Sequence, residues 1–97
     1  MELDHPATAA LRIEDVLAAL NHPARLRVVR TLAASDELSC QEILPDVTKS
    51  SASHHWRMLR ESGVVEHRRE GRYVFLRLRK ADLDSRFPGL LDAVING

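Results

Sequence analysis

At Gly63 the spacing of apolar residues changes from helical to alternating, and this change limits the possible folds of the chain more than any other feature. Before it, residues 49–62 place Ala52, His55, Trp56 and Leu59 in one sector of a helix. After it, residues 64–69 and 72–79 alternate as two strands about Glu70-Gly71, a short hairpin turn. On the second strand Val74, Leu76 and Leu78 share one face, and Tyr73, Phe75, Arg77 and Arg79 share the other. A helix running straight into a basic hairpin excludes all-helical bundles and all-β sandwiches alike.

The preceding half supplies three more helices. Residues 7–20 carry Leu11, Leu17 and Leu20 at helical spacing around Arg12, Glu14 and Asp15. Asn21-His22-Pro23 breaks the chain, and Pro23 suits the first position of a second helix over 24–34, where Leu26, Val29 and Leu32 alternate with Arg25, Arg27 and Arg30. Ser39 with Glu42 three residues on forms a capping box for a short third helix, with Ile43 and Leu44 inward and Pro45-Asp46 as its stop. Thr48 caps the fourth helix, which runs to about Ser62 and is stopped by Gly63. A helical turn over 81–86 and a last helix opened by Pro88, bearing Leu90, Leu91, Val94 and Ile95, complete the chain.

The expected fold is mainly α with a two-stranded antiparallel wing: a winged helix-turn-helix of four helices, two strands and a closing helical tail. Ninety-seven residues suffice for one small core, so residues 1–97 are expected to form a single winged-helix domain.

The formal net charge is zero, but it is unevenly distributed. Between Lys49 and Lys80 nine basic residues face only Glu61, Glu66 and Glu70, whereas residues 1–48 carry eight acids against four arginines. Such a dipolar chain can present one face to a polyanion. No apolar run approaches the roughly 18 residues a membrane span needs. The opening MELDHPATAALRIED has acids where a secretory signal carries bases, and Cys40 is the sole cysteine. A cytoplasmic location is expected.

The fourth helix holds the candidate recognition groups. Ser50, His54, Arg57 and Glu61 lie opposite the apolar sector, with Ser53 and Arg60 along one edge and Ser51 and Met58 along the other. His54 and His55 therefore point about 100° apart, so they do not share a metal, and no nucleophile or paired carboxylate accompanies them for acid–base work. Lys49, Ser50, Ser51, Ser53 and His54 are the candidate base contacts. Arg57, Arg60, Arg68, Arg69 and Arg72 are the candidates for phosphate. A solvated polar face is the bland alternative for a lone helix; the adjoining basic hairpin favours duplex DNA. A winged helix serving as a protein-interaction module is the competing reading. Exposed Leu or Phe on that face would have favoured it.

The segments ALNHPARLRVVRTLA (19–33) and VTKSSASHHWRMLRESGVVEHRREGRYVFLRL (47–78) resemble the ArsR-type winged-helix repressors of bacteria. The likeness runs from about Leu17 to Leu78 and includes Ser53, His55, Leu59, Gly63 and the Arg-Glu-Gly-Arg turn; Trp56 stands where that family usually has Leu. The resemblance implies a DNA-binding repressor, not an enzyme, that pairs as a homodimer through its first and last helices, about residues 7–20 and 82–96. Leu11, Leu17, Phe87, Leu90, Leu91, Val94 and Ile95, together with Leu83, are the expected interface, being more apolar surface than terminal helices of so small a domain hide alone. A two-fold dimer implies a near-palindromic operator with half-sites roughly 34 Å apart.

The metal-sensing sites of that family are not expected here. One needs closely spaced cysteines on the third helix, where only Cys40 stands. The other needs Asp and His on the last helix, where Asp82, Asp84 and Asp92 have no histidine beside them. His5, His22 and His67 are scattered and read as turn or surface residues. Cys40 reads as a packing residue, with redox reporting as the alternative. No cofactor is expected and the effector is left open, with a metal- or thiol-responsive repressor using another site as an alternative reading; neither a phosphate loop nor a paired acid and base suggests an enzyme.

Overall fold

The computed structural model describes residues 5–97; the acidic start, Glu2 and Asp4, lies outside them. A 3-10 turn at Thr8–Ala10 leads to α1 (Ile13–Leu20), α2 (Pro23–Ala33), β1 (Leu38–Ser39), α3 (Cys40–Ile43) and α4 (Lys49–Glu61). The hairpin β2 (Val65–Glu70) and β3 (Tyr73–Leu78) follows, and then α5 (Lys80–Arg86) and α6 (Leu90–Asn96). The fold is a winged helix-turn-helix, mainly α.

The caps form as the local sequence dictates. Pro23 opens α2, and Nδ1 of His22 accepts the Ala24 N–H at 3.0 Å. Ser39 Oγ accepts the Glu42 N–H at 3.4 Å while Glu42 Oε1 accepts the Ser39 N–H at 3.3 Å, a reciprocal box on a helix of only one turn. Thr48 Oγ1 accepts the Ser51 N–H at 3.2 Å and fixes where α4 begins.

The first helix is shorter than its periodicity predicts. Leu11 and Arg12 are extended, and α1 starts at Ile13. The break lets Leu11 turn inward, to 2% exposure, over Gly63. Gly63 has φ +88°, and a Cβ there would sit 2.0 Å from Cδ2 of Leu11. The residue that stops α4 also makes room for the N-terminal segment.

The sheet has three strands in the order β1-β3-β2, one more than the hairpin expected from alternation. β2 and β3 pair antiparallel from Val65↔Leu78 to Glu70↔Tyr73, leaving Gly71-Arg72 as a two-residue loop one position later than anticipated. Gly71 takes φ +61°, as such a loop requires. β1 adds Leu38↔Leu76 and Ser39↔Phe75 on the other side of β3. This ties the wing to the start of α3.

The core is a single cluster to which every helix and both long strands contribute, with Val16, Val28, Leu59, Val65, Leu76 and Leu83 fully buried. The terminal segments are tied down by polar contacts. Arg86 Nη1 donates to the Thr8 and Ala9 carbonyls at 3.0 and 2.8 Å, and Thr8 Oγ1 donates to Asp82 Oδ1 at 2.8 Å. Arg79 Nη1 donates to the Pro6 carbonyl, and Arg30 Nε to that of Val94.

These contacts divide the set of apolar residues expected at a dimer interface. Leu11, Leu83 and Leu91 lie in the core of the single chain; the inward turn of Leu11 and the packing of α5 and α6 on the core take them there. Leu17 is 50% and Ile13 40% exposed, whereas Phe87, Leu90, Val94 and Ile95 are half-buried. Among the described residues no helix is long and apolar enough to cross a membrane.

Candidate nucleic-acid interface

The two faces of α4 fall where its 3.6-residue period places them. Ala52, His55 and Leu59 are buried and Trp56 is half-buried. Lys49, Ser50, Ser51, Ser53, His54, Arg57 and Glu61 are exposed. The groove-facing side thus begins with short hydroxyls and one lysine, continues with an imidazole and an arginine, and meets its first acid only at Glu61. Small side chains there allow close approach of the helix to a base edge.

His55 has a partner that periodicity does not reveal. Arg25, at 7% exposure, runs from α2 beneath α4, donating from Nε to the Ala19 carbonyl and lying 3.1 Å from His55 Nδ1 through Nη1. A guanidinium only donates, so Nδ1 of His55 is the acceptor and its proton sits on Nε2. Burial, helped by His22 and Arg25, lowers the His55 pKa and so favours the neutral ring. This pair locks the recognition helix to α2. Its only sequence signal is an arginine within an otherwise apolar-periodic helix.

The five candidate phosphate contacts are not equivalent. Arg57, Arg69 and Arg72 are exposed and, like Lys49, in no ion pair among the described residues. Arg68 is already engaged, with Glu37 at 2.7 Å, Glu70 at 2.6 Å and its guanidinium 4.9 Å from the Phe75 ring centroid. Arg60 is half-buried and its Nε is enclosed without a hydrogen bond among the described residues. Arg77, Arg79 and Lys80 likewise face Glu66, Asp82 and Asp84. The cationic excess read from the sequence is therefore concentrated at two places, the start and middle of α4 and the hairpin tip.

Among the scattered histidines, His22 is an exposed cap, as expected of a turn residue. His67 is not a surface residue. It is 7% exposed on the inner face of β2, its backbone N–H donates to His5 Nε2 at 2.8 Å, and burial beside Arg60 pushes its pKa down to about 4. An alternating strand beginning at Val65 carries His67 inward with it. Among the described residues no three His, Cys, Asp or Glu side chains are grouped to hold a metal ion. Burial raises the Cys40 thiol to about 11, so it is protonated at neutral pH and a poor nucleophile.

A short helix, a tight turn and a second helix with an exposed polar face, flanked by a cationic β hairpin, define a winged DNA-binding protein. Comparison with known proteins narrows this class. The helix-turn-helix domain family matches residues 20–68. The transcriptional regulator YceK of Bacillus subtilis is 34% identical over 82 residues, covering 81% of this chain and 82% of its own. The biofilm growth-associated repressor of Agrobacterium fabrum is 38% identical over 71% of this chain, which spans 60% of that protein's length. In three dimensions the repressor BigR from Xylella fastidiosa superposes with a TM-score of 0.68 at 32% identity, over 87% of this chain and 83% of its own. The chain belongs to the ArsR-type helix-turn-helix family of transcriptional repressors, DNA-binding regulators rather than enzymes.

Proposed function

We propose that two copies of this chain, paired through their terminal helices, bind a near-palindromic operator in duplex DNA and repress transcription from it in the cytoplasm. One observation carries the reading: α4 offers hydroxyls, a lysine and an imidazole outward, beside a hairpin tip whose Arg69 and Arg72 have no acidic partner among the described residues. Lys49, Ser50, Ser51, Ser53 and His54 contact base edges, where hydroxyl and imidazole groups hydrogen-bond and Lys49 reaches guanine acceptors. Arg57, Arg69 and Arg72 meet phosphates, the last two beside the groove that α4 enters. Arg68 shapes the wing through Glu37 and Glu70 and contacts phosphate only by exchanging them, and Arg60 reaches the backbone from a half-buried stem.

Ile13 and Leu17, one turn apart on α1, start the dimer surface, and Phe87, Leu90, Val94 and Ile95 extend it. Mobility shifts on the DNA upstream of its own gene test the assignment. His54→Ala changes preference at one or two operator positions by ~1–3 kcal/mol. Arg69→Ala weakens binding to all sequences alike and flattens its salt dependence. Equal losses on operator and random DNA for both variants would overturn the division between bases and phosphates.

A further inference from the structure

Between α3, α4 and the start of β3 lies a cleft of about 490 Å³. Its volume falls in the range of small-molecule sites, roughly 300–1,000 Å³. Most of the wall is apolar, from Leu44, Val47, Ala52, Trp56 and Val74 with the neutral Cys40 thiol among them, and Ser39, Gln41, Ser53 and Tyr73 add uncharged polar groups. Lys49 and Arg72 stand on the lining, no acidic residue does, and neither cation is in an ion pair among the described residues. DNA accounts for the two cations. A phosphate backbone has no use for the apolar walls, or for a half-buried tryptophan placed between them.

We propose that this cleft binds a small amphipathic organic anion, a carboxylate with an apolar body, whose charged end meets Lys49 and Arg72 and whose apolar part lies against Trp56 and Leu44. Charge complementarity selects an anion and the apolar walls select its body; a free inorganic anion would leave them solvated. Lys49, Ser53 and Arg72 line the cleft and are also the groups proposed above to touch DNA. Anion and operator therefore exclude one another, and this second half rests on the proposed function. A ligand that binds only the DNA-free protein weakens DNA binding about tenfold when present at ten times its Kd.

Trp56 is the sole tryptophan, so its fluorescence reports the cleft directly. The probe is octanoate, with octanamide as the neutral control, titrated into the full chain without DNA. A saturable change with octanoate is expected, roughly tenfold weaker with octanamide and, for octanoate, in Arg72→Gln. Cys40→Phe fills the cleft without altering a proposed DNA contact; it is expected to lose the octanoate response and still shift operator DNA. Calorimetry on the same samples checks that the fluorescence change is binding. No saturable response, an equal response to octanamide, or an undiminished response in a folded Cys40→Phe overturns the site. Octanoate binding that leaves the operator complex intact overturns only the exclusion. Loss of DNA binding in octanoate-free protein counts against the proposed function and leaves the fluorescence result standing.

Discussion

A single methyl group is enough to disturb the junction at Gly63. The backbone there is left-handed, and an added Cβ also meets Leu11 Cδ2 at 2.0 Å. Gly71 has a similar φ, but nothing lies within 4 Å of the added atom. Gly63→Ala is therefore expected to lower stability by ~2–4 kcal/mol, strain plus overpacking, and Gly71→Ala by ~1–2 kcal/mol, strain alone. Thermal unfolding of the two variants compares them, and equal losses would contradict the close contact. His67 sets a different dependence. Its folded pKa of about 4 lies below the ordinary 6.5, so the unfolded chain binds a proton that the folded chain refuses. The penalty is absent above pH 6.5, grows as pH falls through that value, and levels off below about 4, at roughly 3 kcal/mol for a group this buried. His55, whose pKa burial also lowers, adds in the same direction. His67→Gln should flatten the loss of Tm between pH 6.5 and 4; an unchanged acid profile would mean that the ring takes up its proton as readily in the fold as in the unfolded chain.

Among the elements, α4 owes its starting point to Thr48. Removing that cap by Thr48→Ala should cost ~1 kcal/mol and loosen the first turn, where Lys49, Ser50 and Ser51 lie. Urea unfolding measures the cost, and specific DNA affinity is expected to fall more than non-specific affinity. This helix was fully legible in the sequence, because cap, period and stop are local signals that agree: Thr48, the Ala52–His55–Leu59 stripe and Gly63. The hairpin was legible for the same reason. β1 was not, since two residues cannot display an alternation and Leu38 and Ser39 become a strand only by pairing with Leu76 and Phe75. Arg25 was missed as well. Its partners, Ala19 and His55, are brought together by the packing of α1 and α4 on α2, which no periodicity encodes. The charge count located the basic third of the chain but overstated it, because Glu37 comes from outside that stretch to neutralise Arg68. Glu37→Gln leaves Arg68 with the exposed Glu70 as its one carboxylate partner among the described residues, and non-specific DNA binding should strengthen with a salt slope steeper by up to about one.

At the scale of the whole molecule, one chain measures 34 × 29 × 22 Å and carries a single α4. Successive major grooves on one side of a duplex are roughly 34 Å apart, so a palindromic site can be read only by two copies whose α4 helices are held at that separation. The proposed pairing would then use surface that the single chain leaves open, which is distinct from the surface already buried in its own core. Leu17 is half exposed, whereas Leu91 is 1% exposed among core neighbours. The two residues should consequently fail in different ways. Leu91→Ala opens a cavity and is expected to cost ~2–5 kcal/mol of folding stability, seen as a lower denaturation midpoint. Leu17→Asp leaves the core intact, so its unfolding as a monomer should remain cooperative. Sedimentation equilibrium is expected to show that variant at 10.9 kDa per particle where the parent is twice that mass. Its affinity for a full operator should fall to about that for an isolated half-site, because the second α4 no longer arrives tethered to the first. A Leu17→Asp protein that still sediments as a dimer would remove α1 from the interface and leave α6 to carry the pairing.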